Sequence, residues 1–225
     1  MKVKNIPLLF VTLIVCITFL LGCSKKENES ADSKKNVPMT ESTPYHIKYD
    51  IKGQESGTLD LFVSGKNIKF EINANQDSKD VKAEIYKYEN EMVMISNESG
   101  KKMGVKMKID EKQKNDLTDF TNITKIKEQL KNYKKEGTED VLGYKCNIYS
   151  TDTSKVWLYE DFVALKFQNK KKDNTEDIIT AVLFEPDVKL ADDFFIVPKD
   201  IEVVDIEEMM KGMDKPENTP NEKTK

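Results

Sequence analysis

Tyr45-His46-Ile47-Lys48-Tyr49-Asp50-Ile51 is the stretch of sequence that decides the fold of this chain. Apolar side chains occupy every second position, and polar or charged side chains occupy the positions between them. Successive side chains of a β-strand point to opposite faces, so this stretch predicts a strand with one buried and one solvated face. The alternation returns at Leu59 to Val63 and at Ile68 to Ile72, on either side of a Gly65-Lys66-Asn67 turn. Together these three strands predict an antiparallel meander.

The same pattern predicts further strands along the chain. They lie at Val81 to Tyr88, Met92 to Ser96, Val105 to Ile109, Tyr144 to Ser150, Lys155 to Glu160, Val163 to Gln168, Ile178 to Phe184 and, closing the fold, Phe194 to Pro198. About ten or eleven strands exceed what a sheet holds comfortably without curling. We therefore predict a mostly antiparallel α+β fold, built as a curved, incomplete β-barrel.

One helix interrupts the strands, between Asn115 and Lys135. Its apolar residues recur at spacings of three and four, namely Leu117, Phe120, Ile123, Ile126, Leu130 and Tyr133. Lysines near Lys135 and the following Gly137 are typical of a helix end. An amphipathic helix among strands has to bury its apolar stripe, so we predict that it covers the concave face of the sheet.

The first residues of the chain have the character of a secretory signal. Lys2 and Lys4 precede an apolar run from Ile6 to Leu21, which is too short for an ordinary membrane-spanning helix. The run ends at Leu20-Leu21-Gly22-Cys23, which resembles the bacterial lipobox. The resemblance implies that Cys23 becomes a diacylglyceryl-cysteine bearing palmitate-type chains. We expect it to anchor the protein to the outer face of the cell membrane or to the outer membrane.

These patterns divide the chain into four parts. Residues 1–22 are the predicted signal peptide, and residues 23–44 are a lipidated tether with almost no apolar side chain. Residues 45–210 form the predicted domain, and residues 211–225 form a polar, disordered tail.

Composition argues against a nucleic-acid partner. The chain has 36 basic residues, all of them lysine, and 40 acidic residues, for a formal charge of −4. Bidentate recognition of phosphate depends on the guanidinium group of arginine, which this sequence lacks. An acidic surface with interspersed lysines is typical of a soluble domain.

The sequence also predicts no enzyme, cofactor or metal site. It contains neither a G-x-S-x-G nor an H-E-x-x-H motif, and His46 is its single histidine. Met209, Met210 and Met213 have the spacing of a small packing surface rather than of soft-metal ligands. Cys146, the only thiol of the predicted domain, alternates with apolar neighbours and is interpreted as a buried strand residue.

Adaptable apolar side chains suggest where a hydrophobic ligand would bind. Methionines are flexible and polarizable, and several of them fall in neighbouring predicted strands. The candidate ligand-binding residues are Leu61, Phe70, Met92, Met94, Met107, Ile126, Leu130 and Trp157. The alternative is that these side chains fill the core under the helix and that Trp157 is a core anchor.

The second half of the domain carries a resemblance. Gly137-Thr-Glu-Asp-Val-Leu-Gly143-Tyr144, Val156-Trp157-Leu158-Tyr159 and Phe194-Phe195-Ile196-Val197-Pro198 are similar in pattern to the LolA/LolB-like lipoprotein-carrier superfamily. The resemblance implies an incomplete antiparallel barrel over a helical lid, with acyl chains or other hydrophobic ligands bound in the concave face, or a role as an envelope-stress sensor. Departures from the carrier pattern are the lipid anchor and the missing arginine.

Two functions therefore follow. In the first, a membrane-anchored lipoprotein binds a lipid or a lipoprotein acyl chain in its concave face. In the second, a structural or sensory envelope lipoprotein has a filled barrel and binds protein partners at its rim. An apolar cavity of several hundred Å³ would favour the first.

Overall fold

The computed structural model describes residues 37–52, 56–76, 79–88, 90–98, 101–109, 123–170 and 175–208. Twelve strands form its framework: β1 (Tyr45–Lys52), β2 (Ser56–Ser64), β3 (Asn67–Gln76), β4 (Lys79–Lys87), β5 (Glu91–Glu98), β6 (Lys101–Lys108), β7 (Lys134–Val141), β8 (Tyr144–Ser150), β9 (Ser154–Tyr159), β10 (Val163–Lys170), β11 (Glu176–Pro186) and β12 (Glu202–Asp205).

All twelve strands belong to one sheet, in the order β12-β6-β5-β4-β3-β2-β1-β11-β10-β9-β8-β7. Each pairing is antiparallel except that of β12 with β6, which is parallel. The sheet is curved and open, with β7 and β12 at its two edges. The predicted class, a mostly antiparallel and incompletely closed sheet, is confirmed.

The alternation in β1 sets the two faces of the sheet. Tyr45, Ile47, Tyr49 and Ile51 are buried, whereas the residues between them are partly or fully exposed. We call the face with these four residues the inner face and the opposite one the outer face. Antiparallel pairing continues the inner face across β2 to β6, because directly paired residues lie on the same side of a sheet.

The helix ends earlier than predicted. Helix α1 spans Ile123–Gln129 and continues as a 3₁₀ turn at Leu130–Asn132. Tyr133 has extended backbone angles and ends the helix, so the expectation that it runs to Lys135 is wrong. Ile126 and Leu130 are buried in the same core as Ile47, which confirms the apolar stripe of this part. The predicted helical residues before Ile123 lie outside the described residues.

No helix in the described parts of the chain combines the length and apolar character needed to cross a membrane.

Strand β7 was missed by the sequence prediction. The lysines interpreted as a helix end, Lys134 and Lys135, pair with β8, and a bulge separates Lys135 from Gly137. Seven of its eight residues are exposed, so the strand has no apolar alternation to reveal it. Charged side chains and a bulge are typical of an edge strand that is protected from pairing with other chains.

The closing strand predicted at Phe194 to Pro198 is also wrong. Turns occupy this region, with the Phe194 N–H donating to Ala191 O at 3.0 Å. Residues 191–201, which we call the strap, pack across the outer face: the Tyr88 hydroxyl donates to Phe195 O, and Ile201 is buried against Tyr86. The strand of this region is instead β12, which the sequence prediction missed.

Residues 37–44 pack on the domain, although they fall within the predicted tether of residues 23–44. Met39 is buried in the main core, and the Tyr159 hydroxyl donates to Val37 O at 2.8 Å. The Val188 N–H donates to Pro44 O. The domain therefore includes residues 37–44.

Candidate functional site

A continuous row of apolar side chains crosses the inner face from β1 to β6. Register pairs place its members side by side, one per strand, in the order Ile47, Leu61, Phe70, Ile85, Met94 and Val105. Paired side chains on one face of a sheet are in direct reach of each other. Three of the sequence-predicted candidates therefore belong to one row, which we call the apolar row.

The candidates differ in their burial. Leu61 and Met94 are each 1% exposed and are fully packed, whereas Phe70 is only partly buried. Met92 and Met107 pair with each other beside the apolar row, and both are partly buried. Met103, on the same face of β6, is 40% exposed. The inner face is therefore partly exposed at β5 and β6, where its surface is rich in methionine.

One polar group on the inner face was not predicted. The Oγ of Ser96 is buried and has no hydrogen-bond partner, the one such side-chain atom found among the described residues. Its neighbours in register are Ala83 and Met103. A serine within an alternating strand gives no sequence signal of this kind, because its partners are decided by the tertiary structure.

Helix α1 covers a small pocket beside β9 and β10, in the half of the sheet that lies on the side of β1 away from β2. The pocket holds about 140 Å³, and α1, β9 and β10 supply most of its walls. It is lined by Ile126, Leu130, Tyr133, Val156, Leu158, Phe162, Ala164 and Phe167, with Ser154, Lys155, Gln168 and Asn169 beside them. Ligand pockets are usually about 300–1,000 Å³, so this volume suits only the end of a chain-like ligand. Ile126 and Leu130, two of the candidate ligand-binding residues, thus line this pocket, and their contact with a ligand stays a prediction.

Trp157 does not line this pocket. Its Nε1 donates to Glu139 Oε2 at 2.7 Å, and the Lys166 ammonium lies 4.2 Å from its ring centroid. Lys166 also donates to Glu139 at 3.0 Å. Partial burial raises the pKa of Glu139, but its bonds to Lys166 and Trp157 outweigh burial and leave that pKa below its usual value. Trp157 is therefore held by a charged pair, away from the pocket and the apolar row.

Cys146 is a buried strand residue, as predicted. It is fully buried, and its thiol donates to Tyr144 O at 3.5 Å. Burial raises the pKa of this thiol to about 12. A thiol in that environment is protonated near neutral pH and is a poor nucleophile.

His46 lies on the outer face, with carboxylates at both of its ring nitrogens. Nε2 is 2.8 Å from Asp60 Oδ1, and Nδ1 is 2.9 Å from Glu185 Oε2. Glu185 is 139 residues away in the chain, so this arrangement had no local sequence signal. Within the described parts of the chain, no three His, Cys, Asp or Glu residues converge in a way that could hold a metal ion. Cys23, Met209, Met210 and Met213 lie outside those parts.

The fold and its inner face define an open antiparallel sheet that carries an apolar row and a short covering helix. The chain belongs to the family described as "Domain of unknown function (DUF4412)", whose profile matches residues 46–183. A comparison with curated proteins found no match.

Three solved structures illustrate what the chain is similar to. An uncharacterized conserved protein from Thermus thermophilus is 14% identical, with a TM-score of 0.49 over 73% of this chain and 91% of its own. A chain of the Pseudomonas aeruginosa MucA/MucB complex is 11% identical, with a TM-score of 0.45 over 73% of this chain and 59% of its own. PNGF-II is 15% identical, with a TM-score of 0.41 over 76% of this chain and 33% of its own. The chain thus spans less than two thirds of the latter two.

Proposed function

We propose that this chain is a bacterial envelope lipoprotein, anchored through Cys23, whose inner face binds a hydrophobic ligand. The ligand would be a lipid or the acyl chain of a lipoprotein. The LolA/LolB-like resemblance of the sequence is consistent with this proposal, because it implies ligand binding on the concave face of an open sheet. The anchor would keep the protein at the outer face of the cell membrane or at the outer membrane.

The observation that carries the proposal is the apolar row. Six neighbouring strands are spaced about 4.8 Å apart, so the row extends over roughly 24 Å of the inner face. Its members carry no charge, and the exposed end of the inner face is formed by Met92, Met103 and Met107. Ile47, Leu61, Ile85 and Met94 of this row are only 1–2% exposed, so a ligand would reach the inner face at the partly exposed residues of β5 and β6. A flexible apolar chain fits that end, because burial there is non-directional and methionine adapts its shape.

A second candidate function has an observation in its favour. Ile126 and Leu130 are well buried, and the pocket beside them is smaller than an ordinary ligand site. A domain filled by its own side chains would serve as a structural or sensory envelope protein and would bind a protein partner at its rim.

Photo-crosslinking in intact cells tests the first function against the second. A benzophenone amino acid would be placed at Met107 in the full chain, and the matched control would carry it at Lys108. These neighbours lie on opposite faces of β6, and Lys108 is exposed. The adducts would be identified by mass spectrometry after irradiation.

We expect lipid adducts at position 107 and none above background at position 108. Protein adducts alone at position 107 would support the rim-binding function instead. If neither position gave a lipid adduct, the proposal of an inner-face lipid site would be wrong.

A further inference from the structure

Ser96 lies in a second row of mostly apolar side chains on the inner face. Register pairs place the members of this row side by side, one per strand from β1 to β6, in the order Tyr49, Leu59, Ile72, Ala83, Ser96 and Met103. The row runs beside the apolar row, because Ser96 and Met94 are two residues apart on β5 and share a face. A hydroxyl group therefore lies between Ala83 and Met103, at the partly exposed end of the inner face.

The Ser96 hydroxyl lacks a hydrogen-bond partner, and its neighbours cannot provide one. In the part of the chain that the structure describes, no other side-chain oxygen or nitrogen is buried in this condition. Ala83 has no polar side-chain atom, and the thioether sulfur of Met103 is only a weak acceptor. A buried hydroxyl without a partner costs free energy, and native proteins retain few such groups. A ligand that accepts a hydrogen bond here would remove that cost.

The hydroxyl can reach the open side of the inner face. Ser96 is partly exposed as a residue, although its oxygen is covered in the observed rotamer. A serine side chain has three staggered positions about its Cα–Cβ bond. The neighbouring Met103 is flexible and 40% exposed, so it can be displaced by a ligand. Rotation of Ser96 together with movement of Met103 would uncover the hydroxyl.

The surroundings of Ser96 suit a neutral acceptor attached to an apolar chain. Ala83, Met94 and Met103 are uncharged, so these neighbours offer no cation to a carboxylate or a phosphate. A hydroxyl donates a single hydrogen bond, which a carbonyl oxygen can accept. A pure hydrocarbon has no acceptor and would leave the hydroxyl unpaired.

We propose that Ser96 donates a hydrogen bond to the carbonyl oxygen of a fatty-acyl ester bound on the inner face. The chain of the ester extends along β5 and β6 to Met92 and Met107, which pair with each other. Ser96 and Met92 are four residues apart on β5, a distance of about 14 Å. This inference rests on the proposed function, because it specifies the class of lipid that the same face binds.

Photolabelling with matched lipids tests the inference. The full chain, held in nanodiscs of ether-linked phosphatidylcholine, would be given a trace of diazirine-bearing diacylglycerol. A parallel sample would receive the dialkyl counterpart, which has the same chains but lacks the ester carbonyls. A diacylglyceryl-cysteine peptide with the same diazirine would distinguish a lipoprotein from a glycerolipid as the source of the ester. Labelling of β5 and β6 would be measured by mass spectrometry.

Three variants accompany the unaltered chain. Ser96→Ala removes the hydroxyl, and Ser96→Thr keeps one at the same position. The matched control is Asn97→Ala, which changes an exposed residue on the opposite face of β5. All three substitutions leave the apolar side chains of the inner face in place.

We expect an ester probe to label the unaltered chain, Ser96→Thr and Asn97→Ala about fivefold more than the ether probe does. Ser96→Ala should lose this preference and keep its labelling by the ether probe. Equal labelling of the unaltered chain by ester and ether probes, or an ester preference that persists in Ser96→Ala, would overturn the role of Ser96 and leave the apolar ligand site standing. Absence of labelling by every probe would contradict the proposed function, and this inference with it.

Discussion

Tyr49 and Ala164 are joined by a hydrogen bond that crosses a strand. The Tyr49 hydroxyl on β1 donates to the backbone carbonyl of Ala164 on β10 at 2.7 Å, although β11 lies between these strands. The residue of β11 paired with Tyr49 is Ala181, whose small side chain leaves room for the tyrosine. Ala164 borders a bulge in β10, where the regular ladder is interrupted. The Tyr49 side chain therefore ties a central strand of the sheet to the bulged strand β10, two strands away.

Removing this hydroxyl should destabilise the domain. Tyr49→Phe leaves the Ala164 carbonyl buried without this donor, so we expect a loss of about 1–3 kcal/mol in the free energy of unfolding. Denaturant titration measures the loss. The partly buried Tyr133→Phe serves as the control, with an expected change within about 0.5 kcal/mol. Equal stability of Tyr49→Phe and the unaltered chain would show that the bond contributes nothing to the stability of the domain.

Truncating the buried apolar residues of α1 tests whether this helix covers a ligand pocket or is an ordinary part of the core. Ile126→Ala and Leu130→Ala should each cost about 2–3 kcal/mol, the low end for such truncations, because one side of each residue already borders a pocket. Both variants should take up more of a fluorescent fatty-acid analogue, because the pocket becomes larger.

The exposed Lys127→Ala is the matched control for α1 and should change neither quantity. Losses at the high end, near about 5 kcal/mol, with no probe uptake by any variant would favour the filled-domain function.

Cys146 should resist alkylation in the folded protein. Burial and a thiol pKa of about 12 keep it protonated and covered below that pH. Iodoacetamide at about pH 8 should therefore label it only after denaturant is added, as followed by mass spectrometry. Fast labelling of the native domain would show instead that Cys146 is a reactive thiol.

The anchor is testable by cell fractionation. Cys23→Ala should remove the lipid and leave the domain folded, because the sequence between Cys23 and Val37 is polar and is predicted to be a tether. We expect the unaltered chain in the membrane fraction and the variant lost from that fraction after washing with salt and carbonate. Retention of the variant through these washes would contradict the lipobox interpretation.

Local patterns predicted the part of the fold in which one face is buried and the other solvated. The alternation around Ile47 revealed β1 and its neighbours, because burial of every second residue leaves a period of two. It failed for β7, whose residues are exposed on both faces, and for Phe194 to Pro198, where apolar residues pack as a strap without a hydrogen-bonded ladder.

The candidate site, too, was predictable from sequence only where buried and exposed residues alternate. Leu61, Phe70 and Met94 could be assigned to one face from alternation alone, and the structure brings them into one row. Trp157 was placed with them because of its residue type, whereas its partners are Glu139 and Lys166 on other strands. The contacts of His46 depend on β11, far along the chain, and no local pattern encodes them.

Equilibrium binding of a fluorescent fatty-acid analogue to the chain from Ser24 onward tests the inner-face site most directly. The unaltered chain should bind the analogue saturably. Met107→Asp, which places a charge at the exposed end of the inner face, should weaken binding by about tenfold or more, since an unpaired carboxylate is costly to bury. Lys108→Asp, on the opposite face of β6, should bind as the unaltered chain does. Absence of saturable binding by the unaltered chain, or equal binding by all three proteins, would contradict a hydrophobic ligand site on the inner face.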